Sequence, residues 1–328
     1  MKKILSAGLC LSMFLLAGCQ GQPQDTTLTI TDQAGREVTF EEPCQTAASG
    51  YYITTTIMIG LQQQDKLTGI EMKPETRPIY AKAAEEILDL PQLGNKKMFN
   101  VEECAKADPD VVFLPVGLES YVEELEALDI PVVLLEPETA DDFEEAVEII
   151  GKVMGCEDKV DEYKQYEEDL LEKYELDEVE EEPTVYFAGS DLLTCATDDM
   201  YQGEILSYAQ ADNAIDAEGS SWVNIDIETL LAANPDYVFI EAGSLSADDF
   251  KNDARVQELQ AVQNDNVYVF PSTLETWDTP SLSSCLGKLW AASILHPELV
   301  SMDDVEAEAV AFYEQFYGFT PEAQDLAL

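Results

Sequence analysis

Histidine is almost absent: His296 is the single one in 328 residues, which argues against the multi-histidine sets that hold bare zinc or manganese. It lies in a Leu-His-Pro-Glu stretch that reads as a helix end. Basic residues are nearly as scarce. Seventeen Lys and Arg, including only Arg36, Arg77 and Arg255 as arginines, stand against 67 Asp and Glu, for a formal net charge of −50. So acidic a chain repels phosphate backbones, and no nucleic-acid partner is expected. A solvated acidic shell is the common use of such charge; a cationic ligand or a basic docking surface is the other. Beyond residue 19 the cysteines Cys44, Cys104, Cys156, Cys195 and Cys285 are odd in number and widely spaced. That fits neither a disulfide framework nor a zinc site, and they read as small buried apolar residues. No Gly-x-Ser-x-Gly elbow occurs, and the carboxylates are too numerous to single out a catalytic pair, so an enzyme finds no support.

What is present begins with Lys2 and Lys3 before an apolar run, Ile4 to Ala17. Its charge, length and small-residue ending are those of an export signal, and no later apolar run approaches a membrane span. The ending Leu16-Ala17-Gly18-Cys19 resembles the lipobox of bacterial lipoproteins. That resemblance implies a cleaved signal over 1–18, a lipidated Cys19 opening a tether over 19–27, and anchorage on the outer face of a membrane. Without the signal, 15 basic residues remain against 67 acidic ones.

The remaining 300 or so residues suffice for two domains. Alternation at Leu28, Ile30, Val38 and Phe40 around a turn at Gln33 to Gly35 predicts a β-hairpin. A helix is expected over Tyr51 to Leu61, with Thr54 or Thr55 as its cap, then a strand over Leu67 to Ile70. The following loop gathers Lys73 and Arg77 beside Met72 and Tyr80; a surface salt bridge is the ordinary fate of such an arginine. Residues 101–114, VEECAKADPDVVFL, match residues 227–240, IETLLAANPDYVFI, at Glu102/Glu228, Pro109/Pro235, Asp110/Asp236 and Phe113/Phe239. Each copy reads as a helix stopped by Pro and followed by a buried strand. Two α/β units of like plan are thus expected, 28–140 and 183–328, joined by a helical segment 141–182. Within that segment Phe143, Val147, Ile150 and Met154 share one helical face, Gly151 and Gly155 weaken the helix, and a second run forms a spine over about 157–177. In the second unit, loops present Ser190, Trp222 and Trp277, exposed aromatics on loops being candidates for ligand contact.

Several stretches carry a wider resemblance: the run ending Met58-Ile59-Gly60, IIGKVMGCED, MYQGEILSYAQADNAI, SWVNIDIETLLAANPDYVFI, and WDTPSLSSCLGKLWAASILHPEL. In this order, with the lipobox, the chain resembles the substrate-binding lipoproteins of ABC importers, in the class that handles iron-siderophores, haem and cobalamin. The resemblance implies two Rossmann-like α/β lobes joined by one long helix, a ligand cleft between them, and a closure limited to a modest tilt. It implies no catalysis, no resident cofactor, a monomer, and an ABC permease with its ATPase as partner. The implied ligand is a metal chelate or corrinoid; a molybdate-type oxyanion, held by hydroxyls such as Ser190 or Thr54, is the alternative, and a surface sensor or enzyme on the same scaffold another. Ligand contacts are expected from Tyr51, Tyr52, Met72, Arg77 and Tyr80 in the first lobe and Ser190, Tyr201, Trp222 and Trp277 in the second. Arg77 or Lys73 would meet an anionic group, and haem would need Met72 or a tyrosine as axial ligand. Permease docking is assigned to Glu85 or Glu86 and to Glu204 or Glu228.

Overall fold

The computed structural model describes residues 27–328 apart from 175, 177, 178, 180, 218 and 220. The export signal and Cys19 lie outside the described residues, and no helix among those residues is long and apolar enough to cross a membrane. The hairpin forms as the alternation predicts, Leu28–Thr31 pairing antiparallel with Glu37–Phe40. It joins the first lobe through Asp32, whose carboxylate accepts from the Leu134 N–H.

Each lobe is a sheet with parallel strands at its centre. In the first, the order is Leu67–Gly69, Ala47–Ser49, Val111–Pro115, Val132–Leu135, all parallel. In the second, Thr184–Ala188, Tyr237–Ile240 and Val267–Val269 run parallel, with the short strands Thr194–Cys195 and Val223–Asn224 antiparallel at one edge. The repeat has a physical reason. Asp110 Oδ2 accepts from the Gln45 and Thr46 N–H groups while Thr46 Oγ1 accepts from the Asp110 N–H. Asp236 Oδ2 likewise accepts from the Thr184 N–H and hydroxyl while Thr184 Oγ1 accepts from the Asp236 N–H. In both lobes the Pro-Asp pair therefore clamps the start of a neighbouring strand and sets the register in which the two enter the sheet.

Strand alternation divides the cores. Val112 and Leu114 face an apolar cluster private to the first lobe, and Tyr186 and Ala188 one private to the second. Phe113 and Phe187, one residue out of phase, face a third cluster shared by both. The shared cluster runs from Ile57 and Met58 through Val147 and Ile150, then Tyr163 and Leu170, to Leu289, Trp290, Phe312 and Phe316. The joining segment is two helices, Ala140–Met154 and Glu157–Lys173. Gly155, at φ 63°, ends the first, whereas Gly151 stays within it. A Cβ on Gly151 would meet Val160 Cγ2 at 2.4 Å, so its glycine lets the two helices pack closely rather than weakening the first. The spine helix ends at Lys173, short of the expected 177, and is about 25 Å long. The C-terminal helix Met302–Phe312 and the π-turn Tyr313–Tyr317 return to the first lobe, where Gln62 Nε2 donates to Gln315 O at 2.9 Å. Lys82 pairs with Asp325 at 2.9 Å.

Candidate functional site at the lobe seam

The loops that follow the strands of both sheets meet at one seam. On the first-lobe side the helix Tyr52–Gly60 begins directly after the Ala47–Ser49 strand, with Tyr51 as its extended N-cap and no side-chain cap. Thr54 and Thr55, expected as caps, are interior positions of this helix. Thr55 Oγ1 donates instead to Glu71 at 2.7 Å, and Tyr80 donates to the other oxygen of the same carboxylate at 2.8 Å. This buried network holds the helix and the segment Pro78–Ala83 together. Arg77, immediately before that segment, lies with its guanidinium 4.0 Å from the centroid of the Tyr52 ring. Among the described residues no carboxylate lies within ion-pair distance of Arg77, so the surface salt bridge expected of it does not form. Its charge, stacked on an aromatic face, stays available to a ligand.

From the second lobe comes the loop between the Val267–Val269 strand and the Ser284–Leu295 helix. It docks on the first lobe through the Ile79 N–H, which donates to Leu274 O at 3.3 Å. Between them lies a cavity of about 140 Å³, lined by Tyr52, Thr56, Arg77 and Ile79 on one side and by Leu274, Glu275, Thr276, Thr279 and Ser281 on the other. Its lining is one guanidinium, one carboxyl and several hydroxyls that can rotate to donate. Around Tyr52 the field is acidic. Burial raises its phenol above the ordinary value; Arg77 pulls it down, while Glu138 of the first lobe and Asp278 and Glu241 of the second push it up. Burial also raises Glu138 and Glu241 and pushes Asp278 up to about 7. Asp278 Oδ2 accepts from the Ala242 N–H at 2.9 Å, and its Oδ1 is buried with no partner.

The structure sorts the expected contacts. Tyr52 and Arg77 line the seam cavity, and Tyr51 packs edge-on to Tyr52 at 5.4 Å. Trp222 is half-buried against Phe187 and over Gly189, where a Cβ would lie 2.6 Å from its ring. Ser190 beside it is exposed. Four assignments need correction. Trp277 is 2 % exposed and its indole donates to Tyr313 Oη at 3.0 Å, which makes it core. Tyr80 is buried and spends its hydroxyl on Glu71. Tyr201 is buried on the spine side, edge-on to Phe143 and hydrogen-bonded to Ser284. Met72 is 41 % exposed in a separate outer groove with Met98, Phe99 and Tyr121. Lys73 is exposed beside it, in left-handed backbone at φ 64°. Thr54 Oγ1 is buried without a partner, and it is Thr56 that lines the cavity.

Of the docking candidates, Glu85, Glu86 and Glu228 are exposed, whereas Glu204 lies 3.5 Å from the buried Lys288 ammonium. His296 is buried with Nε2 on Ala209 O at 2.9 Å, and the five cysteines are buried and unpaired, as expected. Sequence reasoning missed Glu275, Asp278, Glu241 and Glu138. Among 67 acidic residues nothing distinguishes them, although Asp278 lies within the quoted motif that opens at Trp277 and Glu275 two residues before it.

Two α/β lobes joined by a pair of packed helices, with polar groups converging at their seam, have the architecture of a solute-binding protein. The chain belongs to the periplasmic binding protein family, whose model matches residues 48–274, and its fold is that of the helix-linked substrate-binding proteins of ABC importers rather than of an enzyme. It is 23 % identical over 317 residues to the molybdate-binding protein MolA of Haemophilus influenzae, covering 88 % of this chain and 90 % of that one. The structure of MolA bound to molybdate superposes with a TM-score of 0.76 at 22 % identity, over 90 % of this chain and 99 % of that one. A periplasmic solute-binding protein of Veillonella parvula gives 0.77 at 21 % identity, over 91 % and 95 %. Helicobacter pylori CeuE in its nickel–histidine complex gives 0.72 at 19 % identity, over 91 % and 97 %.

Proposed function

We propose that this protein, tethered to the outer face of a membrane through a lipidated Cys19, captures a small oxyanion of the molybdate class at the lobe seam and hands it to an ABC permease. The observation that carries the ligand class is Arg77: a guanidinium without a carboxylate partner among the described residues, facing a cavity of about 140 Å³ rich in hydroxyls. A tetrahedral oxyanion fits such a space and is recognised by N–H and O–H donors. Haem or a corrinoid needs a pocket of roughly 300 Å³ or more. The full-length similarity to a molybdate-binding protein points the same way. Glu85 or Glu86 and Glu228, exposed on opposite lobes, are the permease-docking candidates; Glu204, drawn to Lys288, is the weaker one.

A second reading is a metal chelate of neutral or positive charge, ferric siderophore or nickel–amino acid. It is favoured by Glu138, Glu241 and Asp278 around Tyr52, which disfavour an anion. A thermal-shift and titration panel on the form beginning at Gln20 separates the two, using molybdate, tungstate, a ferric siderophore, haem, cobalamin and nickel–histidine. Ligand at 100 times its Kd adds about 2.7 kcal/mol. The oxyanion reading requires a shift with molybdate or tungstate and an affinity at least about 10-fold weaker in Arg77→Ala. A shift with a chelate and none with either oxyanion transfers the assignment to the second reading.

A further inference from the structure

The seam cavity holds a carboxyl group as well as a guanidinium, each without an ionic partner among the described residues. Glu275 lines it from the second lobe. Its carboxyl meets the phenols of Tyr313 and Tyr317 at 3.4 Å each, both on the π-turn that returns to the first lobe. Among the described residues no Lys or Arg lies within ion-pair distance of Glu275. Arg77 faces the same small space from the other lobe, also without an ionic partner. An ionised carboxylate in so small a cavity repels a dianion; a protonated one becomes a donor to it.

Resting on the oxyanion reading, we propose that Glu275 is the proton gate of this site: its carboxylate takes one proton from solvent as a fully deprotonated oxyanion enters, and the resulting O–H donates to the bound oxygen. No bond of the oxyanion is made or broken. One proton is consumed, and the cavity gains one negative charge where the bare dianion would add two. In the empty cavity, burial already holds Glu275 up at about 7, with Tyr317, Tyr313 and Ser283 pulling it down. An arriving dianion raises it further. The surrounding groups do not substitute for it. Tyr313, Tyr317 and Tyr52 are all held above the ordinary phenol value, and Arg77 remains protonated. Asp278, which also sits near 7, is not among the residues that line the cavity.

The test is calorimetric titration with sodium molybdate from pH 6 to pH 8.5, in two buffers of different ionisation enthalpy, on the intact soluble chain, Glu275→Gln and Asp278→Asn. Requiring a protonated acid of pKa about 7 weakens molybdate about 30-fold over this range, with close to one proton taken up per ligand at pH 8. Glu275→Gln removes both the slope and the uptake, while Asp278→Asn shifts the overall affinity but keeps the uptake. Affinity independent of pH in the parent chain overturns the gate, as does a slope that survives Glu275→Gln or vanishes in Asp278→Asn. Should Glu275→Gln fail to fold, zero proton uptake by the parent chain at pH 8 is itself decisive. Absence of molybdate binding at every pH is a different result and overturns the oxyanion reading itself.

Discussion

Replacing Trp277 with Phe separates a ligand anchor from a core residue, the two roles that a tryptophan on a loop can have. The indole is 2 % exposed, donates to Tyr313 Oη at 3.0 Å, and lies within a cluster that also contains Phe312 and Tyr317. Phenylalanine keeps most of the apolar contact but removes the pyrrole edge. A void of roughly 40 Å³ at about 24 cal/mol per Å³ costs about 1 kcal/mol. The lost hydrogen bond costs about 1 kcal/mol more. Near 2 kcal/mol in a chain of this size corresponds to a fall of about 3 °C in Tm. The assay is thermal unfolding by circular dichroism, paired with titration of whichever ligand the panel identifies. Affinity measured well below the transition should change less than about 3-fold, because the indole does not line the cavity. A variant that keeps its Tm but loses 10-fold or more in affinity would falsify the core assignment and restore Trp277 to the ligand.

The strand clamps carry a matched expectation: Asp110→Ala and Asp236→Ala each remove two charge-assisted hydrogen bonds to a neighbouring strand. Each should cost about 2 to 3 kcal/mol in denaturant unfolding, and a loss below about 0.5 kcal/mol in either would show that the repeated Pro-Asp pair does not hold the sheet. Asp278 predicts a pH effect with a definite sign. Burial raises its folded pKa to about 7, so the folded chain retains a proton that the unfolded chain releases near 4. Its contribution to stability is therefore complete below about pH 4, declines as pH rises, and is gone above about 7. Tm against pH should fall less steeply across that window in Asp278→Asn than in the parent chain. Parallel curves would refute the buried-acid assignment.

Period and punctuation made much of the fold legible. The step of two in Leu28, Ile30, Val38 and Phe40 appears as the hairpin, and the helical spacing from Phe143 to Met154 appears as one buried face. Both copies of the Pro-Asp repeat open a central strand, Val111–Pro115 and Tyr237–Ile240. The site was legible only where scarcity helped. Arg77 stands out because the chain has three arginines, and Tyr52 because it follows a strand and opens a helix. Glu275 could not be singled out by the same route, since its significance lies in lacking a cationic partner, a fact of three-dimensional packing. Trp277 and Tyr201 misled for the converse reason. A turn residue such as Pro280 marks a loop, and the quoted motif marks a helix start at Tyr201, but neither says whether the aromatic points out or in. Here the side chains turn inward and find Tyr313 and Ser284.

The way the core is shared bears on how such a seam can work. Were each lobe closed on its own core, the two could swing widely about the joining segment, as domains with small polar interfaces do. Instead one apolar cluster continues from the first-lobe helix Tyr52–Gly60 through the spine to the second-lobe helix Ser284–Leu295. The C-terminal turn adds a second strap, reaching Gln62 of the first lobe from its backbone while Tyr313 and Tyr317 hold the loop that carries Glu275 and Trp277. Opening the seam by a wide rotation would expose part of that cluster at about 25 cal/mol per Å², and bistable packed interfaces resist such continuous deformation. A cavity bounded by Arg77 on one lobe and Glu275 on the other is therefore largely formed before any ligand arrives. Such a site discriminates through the fixed charge and protonation of its walls more than through the extent of its closure.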